Sequence, residues 1–123
     1  MTTPEQVVDE FIAAFAAKDV EKAMALVAED VYYDNVPVGD MRGRDAMRAF
    51  LEPTFRSKGP VEFEVHRSAV TGNTVFNERT DRFVIKGKDI AIPVAGVFEV
   101  NDGLITFWRD YFDNQMFMSQ IKG

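Results

Sequence analysis

Residues 74–112 read TVFNERTDRFVIKGKDIAIPVAGVFEVNDGLITFWRDYF, and this stretch decides the fold. Two polar segments divide it, Lys86 to Asp89 and Asn101-Asp102-Gly103. Both are predicted to be turns, and the second is a strong β-hairpin signal. The stretch therefore predicts three consecutive antiparallel strands, of which the nearly all-apolar second one is central in the sheet. Their predicted bounds are Thr74–Ile85, Ile90–Val100 and Leu104–Phe112.

Further strands are predicted on the N-terminal side of this stretch. From Val61 to His66 apolar and polar residues alternate, which indicates a strand with one wet face. The turn Thr71-Gly72-Asn73 joins that strand to the next. Val31 to Val36 is β-like and is ended by Pro37. A second proline, Pro93, lies inside the central strand and predicts a β-bulge there.

Helices are predicted mainly in the first half of the chain. Thr3, Pro4 and Gln6 form the start of a helix that runs to Ala17, with Thr3 as N-cap. The other predicted helices are Val20–Val27 after the N-cap Asp19, Asp45 to about Phe55 with Pro53 bending or ending it, and a last one from Asp113 through Ile121. The segment from Gly39 to Gly43 is predicted to be a loop. Helices followed by an antiparallel meander make an α+β fold, in which helices cover one face of a curved sheet.

The composition limits the classes of function that are open. The chain has 123 residues with a net charge of −6, which suits one domain over residues 1–123 and argues against nucleic acid or an anionic membrane as partners. It has no cysteine, so it has no thiolate nucleophile and no cysteine metal site. The only histidine, His66, falls on the wet face of its strand. We therefore expect no Ser-His-Asp triad, no metal and no organic cofactor.

The location of the protein is predicted from two further features. The N-terminus shows neither a basic segment nor an apolar segment of the kind that marks export. No apolar run approaches the roughly 18 residues that a membrane helix needs. The sequence therefore predicts a cytoplasmic protein.

Charged residues occur on the apolar faces of two strands. Alternation places Arg79 and Asp81 on one face of Thr74–Ile85 together with apolar residues, and it does the same for Asp110 on Leu104–Phe112. A simple core face would not carry these charges, and neither would a simple wet face. These three residues are therefore candidates for chemistry.

The predicted register brings the two aspartates together. A four-residue turn pairs Ile85 with Ile90, which puts Asp81 opposite Val94. Pairing Val100 with Leu104 puts Asp110 opposite Val94 as well. On the same register Arg79 and Trp108 flank Gly96, whose missing side chain leaves room for the guanidinium group.

Two buried carboxyl groups close together are not both charged at low cost, so one of them tends to hold a proton near neutral pH. An arginine between them stays charged and can bridge both. Such a cluster offers an acid and a base in an apolar cavity, although a purely structural ion pair is an open alternative. Tyr33 and Asn35 share a face of their strand and could orient a water molecule, with simple packing as the alternative for Tyr33.

Three segments resemble the limonene epoxide hydrolase family: Tyr33-Asp34-Asn35, Glu78-Arg79-Thr80-Asp81 and the run from Trp108 to Asp113. The resemblance covers most of the chain, from the first helix to the last strand. It implies a cone-shaped fold of the nuclear-transport-factor type, with helices on the concave face of the sheet, and usually a homodimer. The chain differs from better-known members in starting directly at the first helix and in its tight turn at Lys86 to Asp89, so we expect its pocket to be closed differently.

The resemblance also implies roles for the candidate residues. Asp110 would be the base that deprotonates water, and Tyr33 with Asn35 would hold that water. Asp81 would protonate the epoxide oxygen, and Arg79 would bridge the two aspartates. The implied reaction is the one-step addition of water to a small apolar epoxide, giving a vicinal diol that is trans when the epoxide is cyclic. The residues expected to line the substrate pocket are Trp108, Phe83, Ile92, Val94, Phe112 and Phe117.

Two other functions stay open on the sequence. The first is a ketosteroid isomerase or polyketide cyclase, which also uses a carboxylate base in an apolar pocket but needs no arginine between two acids. The second is a non-catalytic module that binds a small molecule or dimerises, in which Asp81 and Asp110 could be replaced without loss of function.

Overall fold

The computed structural model describes residues 2–122, which form four helices and six strands. In chain order the elements are α1 Pro4–Ala16, α2 Val20–Ala25, β1 Val27–Val36, β2 Gly39–Arg42, α3 Arg44–Arg56, β3 Glu62–Thr71, β4 Thr74–Ile85, β5 Lys88–Asn101, β6 Leu104–Phe112 and α4 Asn114–Lys122. The predicted start of α1 is confirmed, because the side chains of Thr3 and Gln6 each accept a hydrogen bond from the other residue's backbone N–H. Asp113 caps α4 as predicted, accepting from the backbone N–H of Met116.

The strands form one curved, open sheet in the order β2-β1-β6-β5-β4-β3. Neighbouring strands are antiparallel except β1 and β6, which are parallel, so the sheet is mixed and the predicted α+β fold is confirmed. The core lies between one face of the sheet and the helices, with Phe11 of α1 packed edge-on against Trp108 of β6. Of the predicted strands, β4 and β6 have the bounds that the sequence indicated. No helix within residues 2–122 is long and apolar enough to span a membrane.

Two predictions about the region after α1 are wrong. The second helix ends at Ala25 and does not reach Val27, which begins β1 and pairs with Ile105 of β6. The segment predicted as a loop contains β2, which pairs with β1 through a two-residue turn. In both cases pairing with a distant or neighbouring strand outweighs a weak local preference.

Of the two internal prolines, Pro93 differs from its prediction. Pro53 lies inside α3, which ends at Arg56, close to the predicted end, and buries Phe55; of the two predicted effects of this proline, ending the helix does not occur. Pro93 makes no bulge and pairs regularly with Thr80. Because the pairing of β5 with β6 begins only at Val94, the missing N–H of Pro93 can face the side that has no partner strand.

Strand β3 does not have one wet and one buried face. It is the edge strand, and most of its residues are exposed on both faces, including the apolar Val65. Phe63, near its start, is the residue that packs against the core. His66 is exposed, as expected, and its Nε2 lies 2.8 Å from the hydroxyl of Thr80.

The predicted strand register is wrong by two residues on each side of β5. The turn between β4 and β5 has two residues, so Ile85 pairs with Lys88 and Asp81 lies opposite Ile92. On the other side of β5 the hairpin pairs Asn101 with Leu104, which shifts the register by one residue, and a bulge between Glu99 and Val100 adds a second, so Asp110 lies opposite Gly96. The two aspartates therefore do not flank Val94. At both aspartates the shift is even, so Asp81 and Asp110 keep their predicted face of the sheet. Nearer the hairpin the extra residue in β6 reverses the faces, and Ile105 is buried in the core together with Trp108.

Candidate active site

The structure brings the five residues predicted as catalytic to one region of the buried sheet face. Arg79 and Asp81 come from β4, Asp110 comes from β6, and Tyr33 with Asn35 comes from β1. The parallel pairing of β1 with β6 places Asn35 directly opposite Asp110. All five side chains are buried, and Arg79 is fully so.

The guanidinium group of Arg79 joins the two aspartates. Its Nε donates to Oδ1 of Asp81 and its Nη2 to Oδ2 of Asp81, each at 2.9 Å, which is a two-point contact. The same Nη2 donates to Oδ2 of Asp110 at 2.8 Å. The guanidinium also lies over the ring of Phe63, with Cζ 4.9 Å from its centre. The predicted bridge between two carboxyl groups is therefore present.

Gly96 provides the space for this bridge. A Cβ atom at position 96 would lie 2.5 Å from Nη1 of Arg79 and 2.7 Å from Oδ1 of Asp110. The prediction that the missing side chain makes room for Arg79 is confirmed, although the residue opposite Arg79 is Val94 and the residues beside Gly96 are Asn77 and Asp110.

Two hydrogen bonds of the cluster were not predicted from the sequence. The side-chain carbonyl of Asn77 accepts from Nη1 of Arg79 at 2.9 Å, and the indole Nε1 of Trp108 donates to Oδ1 of Asp110 at 2.7 Å. Asn77 alternates in phase with Arg79 on β4, and Trp108 alternates in phase with Asp110 on β6; this position is the only signal of them in the sequence. Trp108 was predicted only to line the pocket and to flank Gly96, whereas it lies opposite Phe98 and its ring stacks on Phe98 and Tyr33.

The pKa values of Asp81 and Arg79 are both raised, for different physical reasons. Burial raises the pKa of Asp81 from 3.8 to about 6, although the hydrogen bonds and charge of Arg79 oppose the rise and the charge of Asp110 adds to it. Burial alone would lower the pKa of Arg79, but the two carboxyl groups outweigh it and raise that pKa, so the guanidinium keeps its charge. Asp81 is thus a carboxyl group that can hold a proton close to neutral pH.

Tyr33 and Asn35 form a polar pair next to Asp110. The hydroxyl of Tyr33 donates to Oδ1 of Asn35 over a long 3.5 Å, and burial raises the pKa of Tyr33, so its hydroxyl stays protonated. Nδ2 of Asn35 is buried and has no hydrogen-bond partner among the described residues. A buried donor without a partner is costly, and a water molecule held beside Asp110 would satisfy it.

An apolar cavity of about 710 Å³ opens from the cluster. Tyr33, Asn35, Asp81 and Asp110 form its polar wall. The six residues predicted to line the substrate pocket all lie in its wall: Trp108, Phe83, Ile92, Val94, Phe112 and Phe117. Phe50, Leu51 and Thr54 of α3 form another part of the wall, which was not predicted from the sequence.

The arrangement fits proton transfer better than metal binding. Among residues 2–122, no three His, Cys, Asp or Glu side chains come together as a potential metal site. Instead, the charged Arg79 holds two carboxyl groups, Asp81 and Asp110, at the end of an apolar cavity. One of them, Asp81, can hold a proton. A structural ion pair needs neither a cavity nor an unsatisfied amide beside it.

The sequence matches the family model described as the limonene-1,2-epoxide hydrolase catalytic domain over residues 2–122. It is 39% identical over 119 residues to the epoxide hydrolase EphG of Mycobacterium tuberculosis, a match that covers 94% of this chain and 78% of that protein. The match to the family model spans nearly the whole chain.

Solved structures agree on the fold. The structure of an M. tuberculosis epoxide hydrolase described as like limonene epoxide hydrolase superposes with a TM-score of 0.82 at 35% identity, covering 98% of this chain and 90% of that one. A SnoaL-like polyketide cyclase structure from Shewanella denitrificans OS-217 has a TM-score of 0.87 at 18% identity, covering 97% and 96%. The second likeness shows the fold alone.

Proposed function

The chain belongs to the limonene-1,2-epoxide hydrolase family and is an epoxide hydrolase of that type, and from this premise we propose that it adds water to an apolar epoxide in one step, without a covalent intermediate. The observation that carries the proposal is the bridge from Arg79 to both Asp81 and Asp110 at the polar end of an apolar cavity. It fixes a proton donor and a proton acceptor on one wall of the cavity. No cofactor enters the proposal.

Asp110 is the base in this mechanism. One of its oxygens accepts from Trp108 and the other from Arg79, and each keeps a free lone pair for a water molecule. The free Nδ2 of Asn35 and the hydroxyl of Tyr33 lie beside it and would orient that water. A base within hydrogen-bond reach of an oriented water meets the geometric condition for general base catalysis.

Asp81 is the acid. Its raised pKa keeps it protonated in an appreciable fraction of molecules near neutral pH. As the water oxygen attacks carbon, Asp110 takes a proton from water, the epoxide C–O bond breaks, and Asp81 gives its proton to the departing oxygen. The cycle ends with a proton on Asp110 and none on Asp81, and exchange with solvent water restores both.

Arg79 is also an argument against the alternative of an isomerase or a cyclase. Removing a proton beside a carbonyl group needs a neutral donor at the oxygen that becomes negative, whereas here the donor between the two acids is a permanently charged guanidinium that is hydrogen-bonded to both. This arrangement favours a reaction in which one carboxyl group gives a proton while the other takes one.

Two experiments test the proposal. The pure protein is first incubated with cyclic and aliphatic epoxides, and diols are sought; a cyclic epoxide should open to the trans diol, because water attacks from the side opposite the breaking bond. A single turnover with enzyme in excess is then run in water labelled with heavy oxygen. Direct attack puts the label into the diol at once, whereas a covalent aspartyl ester would deliver unlabelled oxygen and leave the label on Asp81 or Asp110, which would refute the one-step route.

We also propose that the protein is a homodimer formed through the outer face of the sheet, the face away from the helices. Phe76 and Tyr111 are 43% and 45% exposed there, and their register partners on β5, Val97 and Ala95, join them into one apolar surface. Sedimentation of the wild type and of the double variant Phe76→Glu, Tyr111→Glu tests this, since charge on both residues should give monomers. The predicted cytoplasmic location stays a prediction, which fractionation of the source cells would test.

A further inference from the structure

The charged side chains in the cavity wall are separated by sign. Asp81 and Asp110 lie at the polar end, and Lys58 and Lys86 lie elsewhere in the wall, where both are exposed. We call these two residues the lysine rim. Lys86 lies in the turn that follows β4, five residues after Asp81, which at about 3.3 Å per residue puts it roughly 16 Å away along the strand. The cavity therefore runs from a carboxyl pair to a pair of cations.

The two parts of the lysine rim are held close together. Gly59, next to Lys58, packs so tightly against the side chain of Val84 that a Cβ atom would overlap it. Val84 is two residues from Lys86. The loop that carries Lys58 is fixed from the other side by Lys18, whose ammonium group donates to the backbone carbonyls of Ser57 and Gly59. Lys58 and Lys86 thus reach the cavity from two different elements that contact each other.

The two ammonium groups of the lysine rim form no salt bridge within the described part of the chain. Neither ammonium group of the lysine rim has a carboxylate within 4.0 Å among residues 2–122. The next acidic residue in the chain after Lys86 is Asp89, and it lies on the opposite face of β5 from Ile90 and Ile92. The chain as a whole carries a charge of −6, so two unpaired cations in the wall of its apolar cavity go against the overall charge.

We propose that the substrate is an extended epoxide whose far end carries a carboxylate, bound by the lysine rim while the epoxide lies against Asp81 and Asp110. This inference rests on the proposed function and names the class of its substrate. The apolar wall between the two ends suits a hydrocarbon chain, and a gap of roughly 16 Å needs about a dozen carbon–carbon bonds of about 1.5 Å in an extended zigzag. A compact neutral epoxide would leave both the rim and much of the 710 Å³ cavity unused.

Matched pairs of substrates test the proposal. A straight-chain terminal epoxide of about twelve carbons that ends in a carboxylate is compared with its methyl ester, and the comparison is repeated with chains of about six carbons, which cannot span the cavity. Wild type is expected to prefer the long acid over its ester by about five- to tenfold in kcat/KM, the size expected for two partly exposed ion pairs. The short pair should show no preference, and added salt should weaken the preference for the long acid.

The variant Lys58→Gln, Lys86→Gln should abolish the preference for the long acid, so that the ratio of kcat/KM for acid and ester becomes about one. Lys22→Gln, on α2 and outside the cavity wall, is the matched control and should behave like the wild type. Equal kcat/KM for acid and ester in the wild type would overturn the proposal while leaving epoxide hydrolysis intact. A preference that survives in the double variant would also overturn it, because the carboxylate would then be bound elsewhere.

Binding provides a readout that does not depend on turnover. Calorimetry compares a saturated twelve-carbon carboxylic acid with its amide, on the wild type and on the double variant. Tighter binding of the acid that disappears in the double variant supports the lysine rim even if no epoxide in the panel is hydrolysed, a result that would count against the proposed function alone. Equal binding of acid and amide by the wild type would overturn the inference.

Discussion

Gly96 and Arg79 compete for one volume: a Cβ atom on Gly96 would come within 2.5 Å of Nη1 of the arginine. The guanidinium cannot simply turn away, because it is hydrogen-bonded to Asn77, Asp81 and Asp110. Even a single methyl group at position 96 would therefore displace the charged cluster first, and would affect the fold only secondarily.

We expect Gly96→Ala to lower kcat by roughly 10²-fold or more, because it displaces the group that holds acid and base in place. Circular dichroism should still show a folded protein. Arg79→Lys added to Gly96→Ala should cost little beyond the single change, since both disrupt one cluster and their effects are not additive. A Gly96→Ala enzyme with normal kcat would show that the position of the guanidinium is not critical.

Replacing either carboxyl group should remove most activity. Asp81→Asn and Asp110→Asn each lose a proton-transfer group, for which roughly 10²–10⁴-fold in kcat is expected. Arg79→Lys should also be severe, because an ammonium group cannot contact two carboxyl groups in a fork. Asp102→Asn is a matched control, since Asp102 is an exposed turn residue with a positive φ that asparagine accepts. Near-normal turnover by folded Asp110→Asn would refute its assignment as the base.

The raised pKa of Asp81 predicts how activity depends on pH. The acid must be protonated, so kcat/KM should fall as the pH rises through about 6, with an apparent value that belongs to the coupled pair. Methyl ester and other neutral epoxides are the substrates of choice here, because they do not titrate. A pH profile of the wild type that stays flat from pH 5 to pH 8 would contradict the role of Asp81 as acid.

The raised pKa of Asp81 also predicts that the stability of the ligand-free protein depends on pH. Folded Asp81 holds its proton more tightly than the unfolded chain does, since its pKa rises from 3.8 to about 6. Its contribution to the free energy of unfolding is complete below about pH 4 and is lost as the pH rises through about 6. Urea unfolding at pH 4, 5, 6 and 7 should show this loss in the wild type and a smaller one in Asp81→Asn. An identical pH dependence in the two proteins would count against the raised pKa.

Trp108→Phe tests the hydrogen bond that orients Asp110. The change removes the Nε1 donor and keeps an aromatic ring against Phe98 and Tyr33. A hydrogen bond to a charged group contributes about 1.5–3 kcal/mol, so kcat should fall roughly tenfold or more while KM changes little. Because Trp108 is the only tryptophan, folding has to be followed by circular dichroism and not by tryptophan fluorescence. An unchanged kcat would show that Arg79 alone suffices to position Asp110.

Tyr33→Phe and Asn35→Ala should lower kcat more than they raise KM, because they position water and do not hold the substrate. The contrasting variant is Phe83→Ala in the apolar wall, which should mainly raise KM. A normal kcat with a large rise in KM for Asn35→Ala would move that residue from the water site to the substrate pocket.

The sequence was most informative where the burial pattern is strong. Strands β4 and β6 have their predicted bounds because buried and exposed side chains alternate along most of their length, with charged residues in the buried set. That alternation also identified Arg79, Asp81 and Asp110 as partners. It could not identify the hydrogen bonds of Asn77 and Trp108, because alternation gives the face of a strand and not the direction of a polar atom.

The strand register and the short elements were harder to predict from the sequence. Whether Lys86 to Asp89 is a turn of two or four residues depends on whether Lys88 and Asp89 pair across the hairpin, and their side chains are compatible with either. The bulge at Glu99–Val100 has no proline or glycine to indicate it. Strand β2 is formed by pairing with β1 and has no apolar pattern of its own.

The parallel pairing of β1 with β6 joins two parts of the site that are far apart in the chain. The hairpins from β3 to β6 connect neighbouring segments, so the arginine clamp on Asp81 can form from local contacts. Asn35 meets Asp110 only when segments some 75 residues apart in the chain come together, as in the ion pair of Asp34 with Arg109. Distant pairings of this kind form slowly because the loop they close is long. A chain in which β1 and β6 had not paired would have its acid and its arginine in place but not the Asn35 amide beside its base, so it would lack the residues proposed to hold water.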